Sequence, residues 1–180
     1  MLEIDKIYKM DCLEGMKLIA DNSIDLIVTD PPYGISYKTN RRKEEHKFKH
    51  EIVNDDNFDF IGEYISECYR ILKDNTACFM FCSAKTLSFF QETAEKVGFV
   101  LKNTIIWDKG NWTAGDLEAQ FGQQYEPLLL LNKGRKIING KRLGDIWHFP
   151  RVPSVSLLHQ NEKPINLIRQ CLLTHSELGG

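Results

Sequence analysis

The run Ile24-Asp25-Leu26-Ile27-Val28-Thr29 is short, apolar and rich in β-branched residues. Its length and composition predict a strand, of the kind a parallel sheet covers on both faces. Ahead of it, Asp11 to Ala20 predicts a short helix with Leu13, Met16 and Ile19 or Ala20 facing inward. Ile61, Tyr64, Ile65, Cys68, Ile71 and Leu72 then recur at helical spacing. Asp74-Asn75 ends that helix in this reading, and Thr76 to Cys82 forms a second buried strand. Leu87, Phe90, Ala94 and Val97 mark a third helix, with Gly98 as its stop. Val100 to Trp107 and Tyr125 to Leu131 read as two further strands, the latter closed by Asn132-Lys133-Gly134. The last helix has Asn161 as its cap, Pro164 in its first turn, and Ile165, Ile168, Cys171 and Leu172 on its apolar face. Such alternation of strand and helix predicts a doubly wound α/β sheet in a single domain, residues 1–180.

The sharpest chemistry follows the first strand. Open α/β sheets bind ligands beyond the carboxyl ends of their strands, and Asp30-Pro31-Pro32-Tyr33 stands there. Proline has no backbone N–H and a fixed φ. The Pro-Pro pair therefore offers rigid carbonyl acceptors, and Asp30 adds a carboxylate acceptor. An aryl amine has two N–H donors and a lone pair delocalised into its ring. If Asp30 and the Pro31 carbonyl accept those hydrogens, the nitrogen is drawn toward tetrahedral geometry and its lone pair becomes nucleophilic. Tyr33 can stack on the face of a base held out of a duplex. Orientation and charge stabilisation suffice, without removal of a proton before attack. Taken alone, a proline-rich turn after a strand explains the tetrapeptide equally well.

A second anchor tips that balance. Asp-Pro-Pro-Tyr, the upstream Asp11-Cys12-Leu13-Glu14-Gly15-Met16 and the late His159-Gln160-Asn161-Glu162-Lys163-Pro164 together resemble the amino-group DNA methyltransferases that use S-adenosylmethionine. The order, catalytic motif first, resembles the circularly permuted β group. The resemblance implies a Rossmann-like class I methyltransferase sheet with helices on both faces. It implies methyl transfer to adenine N6 in double-stranded DNA, since the cytosine-N4 type usually begins its tetrapeptide with Ser, with cytosine N4 as the close alternative, and a restriction-modification or phage setting. It also implies catalytic roles for Asp30, Pro31, Pro32 and Tyr33, and cofactor contacts from Asp11, Cys12, Asp30, His159, Lys163 and Pro164. By residue chemistry alone, Asp11 reads as a helix cap and Lys163 as a cation at a helix start that favours a carboxylate.

One departure from the family pattern stands out. Its Asp-Pro-Phe-x-Gly-x-Gly turn, which wraps the cofactor, has no counterpart here, and Glu177-Leu178-Gly179-Gly180 falls where the strand before it begins. The resemblance therefore implies a sheet incomplete at the C-terminal side. A bare edge on the strand before Asp30 would favour self-association and weaken cofactor binding. A non-catalytic DNA-binding remnant is the alternative from another class.

Composition adds bounds. The 180 residues are 42% hydrophobic and 27% charged, ordinary for a globular protein. The five cysteines show no metal-ligand spacing, Cys68, Cys78, Cys82 and Cys171 read as reduced core residues, and the N-terminus lacks a signal pattern, which points to the cytoplasm. Net charge is −2, so any nucleic-acid surface must be local. Lys38 to His50 holds six Lys/Arg against two Glu. Lys38, Arg41, Arg42 and Lys43 are candidate phosphate contacts in a loop that closes over a flipped base. Residues 108–153 resemble the family's target-recognition region, with Arg135, Lys136 and Arg142 as candidate DNA contacts. An ordinary surface hairpin with Trp147 packed on the core fits that segment equally well.

Overall fold

The computed structural model describes residues 2–34, 57–113, 117–153, 155–159 and 161–176. Its core is a five-stranded mixed sheet in the order β1-β2-β4-β3-β5, built from β1 (Ile24–Thr29), β2 (Leu72–Phe81), β3 (Val100–Asp108), β4 (Tyr125–Lys133) and β5 (Ile146–His148). Strands β1 and β2 are parallel, as are β3 and β5, while β4 runs antiparallel to both β2 and β3. The sheet is thus mixed, because β4 follows β3 through a hairpin-like connection rather than a helical crossover.

The alternation of side chains on β2 and β4 sorts the core into two layers. Cys78, Met80, Leu129 and Leu131 face α1 (Cys12–Lys17), α2 (Phe58–Ile71) and α3 (Leu87–Val97), and pack with Met16, Ile65 and Phe90. Phe79, Phe81, Leu128 and Leu130 face the other way, toward Trp107, Trp147 and the α4 (Ile165–His175) residues Leu167 and Cys171. Helices therefore cover both faces, as the resemblance implied.

Local chemistry explains the boundaries. Asp11 caps α1, its Oδ1 accepting from the Leu13 and Glu14 N–H groups at 3.0 and 3.1 Å. The helix stops at Lys17, three residues short of the expected end. Helix α3 ends where expected, at Gly98 with φ +118°. Strand β2 begins at Leu72, immediately after α2, rather than at Thr76. Between the pairs Ile24–Leu72 and Leu26–Ala77 the chain bulges, and Asn75 takes φ +61° within that bulge. Asp74-Asn75 is therefore a kink inside a strand and not a helix terminator.

Strand β1 pairs only with β2 among the described residues and so stands at the sheet edge, but Ile24 and Ile27 pack on one core layer and Leu26 and Val28 on the other, so both its faces are covered, in a mixed rather than a parallel sheet. Two further expectations, both on α4, are corrected. Pro164, not Asn161, holds the N-cap position of α4. The buried face of α4 is Leu167, Cys171, Thr174 and His175, whereas Ile165 is 79% exposed. The stripe was misphased because apolar residues stand on both sides of this helix. Trp147 is buried on β5, as the hairpin reading expected, but β5 pairs parallel with β3, so the segment is not a hairpin.

Candidate active site

Strands β1, β2, β3 and β5 all run the same way, so their carboxyl ends share one edge of the sheet. The antiparallel β4 starts there. That edge gathers Asp30 after β1, Lys109 after β3, Glu126 at the start of β4 and Lys163 just before α4. Pro31 is buried, Pro32 and Tyr33 are half-buried, and Asp30 reaches solvent. Gly34, at φ +71°, turns the chain away in a space that a Cβ would share with Phe58 at 2.9 Å.

These side chains form one closed network. The Tyr33 hydroxyl donates to Asp30 Oδ1 and lies 2.6 Å from Glu126 Oε1. Lys163 Nζ reaches Asp30 Oδ2 at 3.0 Å, Glu126 Oε1 at 2.7 Å and the Tyr33 oxygen at 3.2 Å. Lys109 Nζ holds the second Glu126 oxygen at 2.8 Å. Two carboxylates and two ammonium groups thus balance. The Lys163 ammonium also lies 4.9 Å from the Phe81 ring centre, 5.6 Å from Tyr33 and 5.9 Å from Trp107. It sits in a cage of carboxylates and aromatic faces, the environment that favours a desolvated cation.

Ionisation follows from the same contacts. Burial, reinforced by the negative charges of Glu126 and Asp30, pushes the Tyr33 phenol far up, so it remains a neutral donor. Burial also works against the charge on Glu126, but the Coulombic pull of Lys163 and Lys109 more than reverses it and holds the carboxyl below its ordinary value.

A second cluster flanks the first. Asp108 Oδ1 accepts from the Gln124 side chain at 2.8 Å and the Gly110 N–H at 2.9 Å, and Oδ2 meets His148 Nδ1 at 3.0 Å. Those hydrogen bonds, Gln124 first, lower the Asp108 carboxyl to about 2. Arg151 is oriented by Asn111, whose Oδ1 accepts from Nε at 3.2 Å and from Nη2 at 3.1 Å.

The expected residues divide in three. Asp30, Pro31, Pro32, Tyr33, Lys163 and Pro164 come together at the open edge. Asp11 and Cys12 start α1, with both Asp11 bonds on Oδ1, and His159 is exposed and accepts from the Asn161 N–H at 3.3 Å. Arg135, Lys136 and Arg142 lie at the opposite edge of the sheet. Strand β4 carries the chain from Glu126 to Lys133 over about 24 Å, at roughly 3.4 Å per residue. Beyond it the Arg135 N–H bonds Asn75 Oδ1, and the Asn139 N–H bonds Thr174 at the end of α4. Lys38, Arg41, Arg42 and Lys43 fall outside the described residues. Sequence reasoning missed Lys109 and Glu126. The available signal was a lone carboxylate, Glu126-Pro127, opening the wholly apolar run Leu128 to Leu131.

A half-open α/β sheet with an acid, a rigid proline turn and an aromatic at its strand ends defines a Rossmann-like methyltransferase fold. The chain matches the sequence model of the N6/N4 DNA methylase family over residues 24–180 and belongs to that family. It is 26% identical over 213 residues to the DNA adenine methyltransferase YhdJ of Escherichia coli K12, covering 98% of this chain and 69% of that one. To the type II methyltransferase M.HpaI of Haemophilus parainfluenzae it is 29% identical over 194 residues, covering 94% and 59%. Among solved structures, the M1.HpyAVI–SAM complex matches with a TM-score of 0.67 at 22% identity, covering 94% of this chain and 76% of that one. The cytosine-N4-specific PvuII DNA methyltransferase matches with a TM-score of 0.72 at 14% identity, covering 94% and 70%. The chain therefore spans between 59% and 76% of the length of these relatives.

Proposed function

We propose that this chain carries the catalytic edge of a site-specific DNA methyltransferase that methylates adenine at N6 with S-adenosylmethionine. The observation that carries the reading is Asp30. It stands at the carboxyl end of β1, partly open to solvent, with each oxygen on a separate donor and a buried proline directly after it. The spelling of the tetrapeptide with Asp favours adenine over cytosine.

The residues fit the cofactor's methionine end. Asp30, Phe81, Trp107 and Tyr33 already surround one cation, the Lys163 ammonium, and a sulfonium makes the same demands. Asp30, Lys163 and Pro164 would border the cofactor there, with Asp11 and Cys12 toward its adenine. When bound, it supplies an electrophilic methyl group. The chain's own residues do the rest. Asp30 and the Pro31 carbonyl accept the two amine hydrogens and tilt the lone pair out of the ring plane. The ring of Tyr33 holds the base out of the duplex. Asp30 then stabilises the ammonium that develops on transfer. Arg151 stands at the same edge and supplies a cationic contact for phosphate.

The half-paired β1 supports the further reading that copies of the chain associate through this edge. Light scattering on the purified chain tests it, and a monodisperse monomer overturns it.

The primary experiment incubates the chain with labelled S-adenosylmethionine and duplex DNA, then digests the product to nucleosides. N6-methyladenine is expected, with a loss of at least about a hundredfold in Asp30→Asn, the scale for removing one group that stabilises transition-state charge. N4-methylcytosine would replace the substrate assignment. Duplex binding without methylation would identify a DNA-binding remnant.

A further inference from the structure

Tyr33 has one hydroxyl hydrogen, and its oxygen touches two carboxylates. It donates to Asp30 Oδ1, and Glu126 Oε1 is 2.6 Å away. The third neighbour, Lys163 Nζ at 3.2 Å, is itself a donor. A phenol can donate one hydrogen at a time, so the two carboxylates compete for it. Glu126 is well placed to compete. It comes from β4, 93 residues away in the chain, and its side chain is only 12% exposed. Lys109 fixes one of its oxygens and Lys163 the other, and the two lysines keep it ionised. Lys163 spans Glu126 Oε1 and Asp30 Oδ2, so both carboxylates keep their orientation whichever of them holds the phenolic hydrogen.

The Asp30 chemistry proposed above needs Asp30 Oδ1 free to accept from an amine, while a buried phenol left without an acceptor is costly. We propose that Glu126 is a positioning residue that takes over the Tyr33 hydroxyl hydrogen when Asp30 engages the exocyclic amine. The hydrogen swings about the Cζ–O bond from Asp30 Oδ1 to Glu126 Oε1, and no covalent bond breaks. Tyr33 then keeps one strong acceptor in both states, its ring does not move, and Asp30 is released at little cost. This inference rests on the methyltransferase reading for its purpose, but the sharing of the hydrogen is a property of the resting chain.

A double-mutant cycle with two readouts tests it. In chain labelled with 13C at tyrosine Cζ and at aspartate carboxyl carbons, E126Q should shift the resonances of both Tyr33 and Asp30, because the hydrogen then rests more fully on Asp30. In the Y33F background, E126Q should shift the Asp30 resonance by clearly less, the remainder coming from Lys163, which both carboxylates share. In single-turnover methylation of duplex DNA, E126Q should slow transfer by about tenfold with Tyr33 intact and by less than about twofold in the Y33F background. Equal losses in both backgrounds, or resonances that E126Q leaves in place, would overturn the inference and leave Glu126 as an anchor for Lys163. Shifted resonances in a chain that methylates nothing would uphold the shared hydrogen and overturn the methyltransferase reading. Glu126→Asp, which keeps the charge and shortens the reach, serves as the second variant if E126Q does not fold.

Discussion

Replacing Lys163 by methionine removes the cation that two carboxylates share while preserving most of the side chain's volume. Its contacts to Glu126 at 2.7 Å and Asp30 at 3.0 Å are each worth about 5–6 kcal/mol gross at an effective dielectric constant near 20. Desolvation of the three charges offsets most of this, and breaking a buried pair typically costs about 3–5 kcal/mol. Two features reduce the figure here. The Asp30 side chain is 31% exposed, and Lys109 still neutralises Glu126. A net loss of about 2–3 kcal/mol is expected at neutral pH, or about 6–9 °C in Tm for a chain of this size. The pH dependence is the sharper check. Glu126 is held below its ordinary value of 4.5 in the folded chain. Its contribution is thus present above that value and lost as pH falls through the lower folded one. Without Lys163, burial is less opposed and the folded value rises, so the variant has less stability to lose than the parent as the pH falls. Urea unfolding should show a gap that is widest between about pH 6 and 8 and narrows below about 4.5. A variant as stable as the parent at pH 7, or a gap constant down to pH 4, would show that the network is a surface ion pair of no consequence.

Other perturbations address other parts of the molecule. His175 is 3% exposed beneath Phe79, and burial, aided by Lys136, lowers it from 6.5 to about 4. The unfolded chain binds that proton first, so stability should be intact above pH 6.5 and fall toward pH 4. The loss is at most about 3 kcal/mol, less where salt screens Lys136, and urea midpoints for His175→Gln should lack it. Gly134 has φ +79°, and a Cβ there would lie 2.8 Å from Asn75 Oδ1. Gly134→Ala should therefore destabilise by about 2 kcal/mol in chemical denaturation. Arg151→Ala should weaken duplex binding and reduce the salt slope by about one, whereas reversing Arg135 and Lys136 at the far edge should change affinity by less than about twofold. Fluorescence anisotropy over a salt series separates the two outcomes.

The elements most legible in the sequence were those whose apolar residues all turn out to be covered by the core. Helix α3 and strand β1 fall where Leu87 to Val97 and Ile24 to Thr29 predict them. Helix α4 was misphased because Ile165, Leu172 and Leu173 are exposed while Thr174 and His175 are buried, so hydrophobicity no longer marks the inner face. Strand β2 was shortened because Asp74-Asn75 looks like punctuation, and only the pairing of Leu72 with Ile24 shows the strand continuing across it. Neither failure was open to local correction, since each depends on a neighbour distant in sequence.

The site divides along the same line. Asp30 to Tyr33 and Lys163-Pro164 are contiguous signatures, whereas Lys109 and Glu126 belong to the site only through strand order. The reversal of β4 matters most. Had β4 run parallel to its neighbours, Glu126 would stand at the edge near Asn75 and Lys133 would face Asp30. Because it runs antiparallel, a carboxylate at the start of an apolar strand arrives beside a carboxylate at the end of another. Two carboxylates this close in a partly desolvated site require cations between them, and Lys163 and Lys109 supply that charge. The basic segment from Arg135 to Arg142 was assigned by composition and by its resemblance to a recognition region, and the same reversal carries it away from Asp30. One strand direction therefore accounts both for Glu126, which sequence reasoning missed, and for the basic segment that it expected near the site.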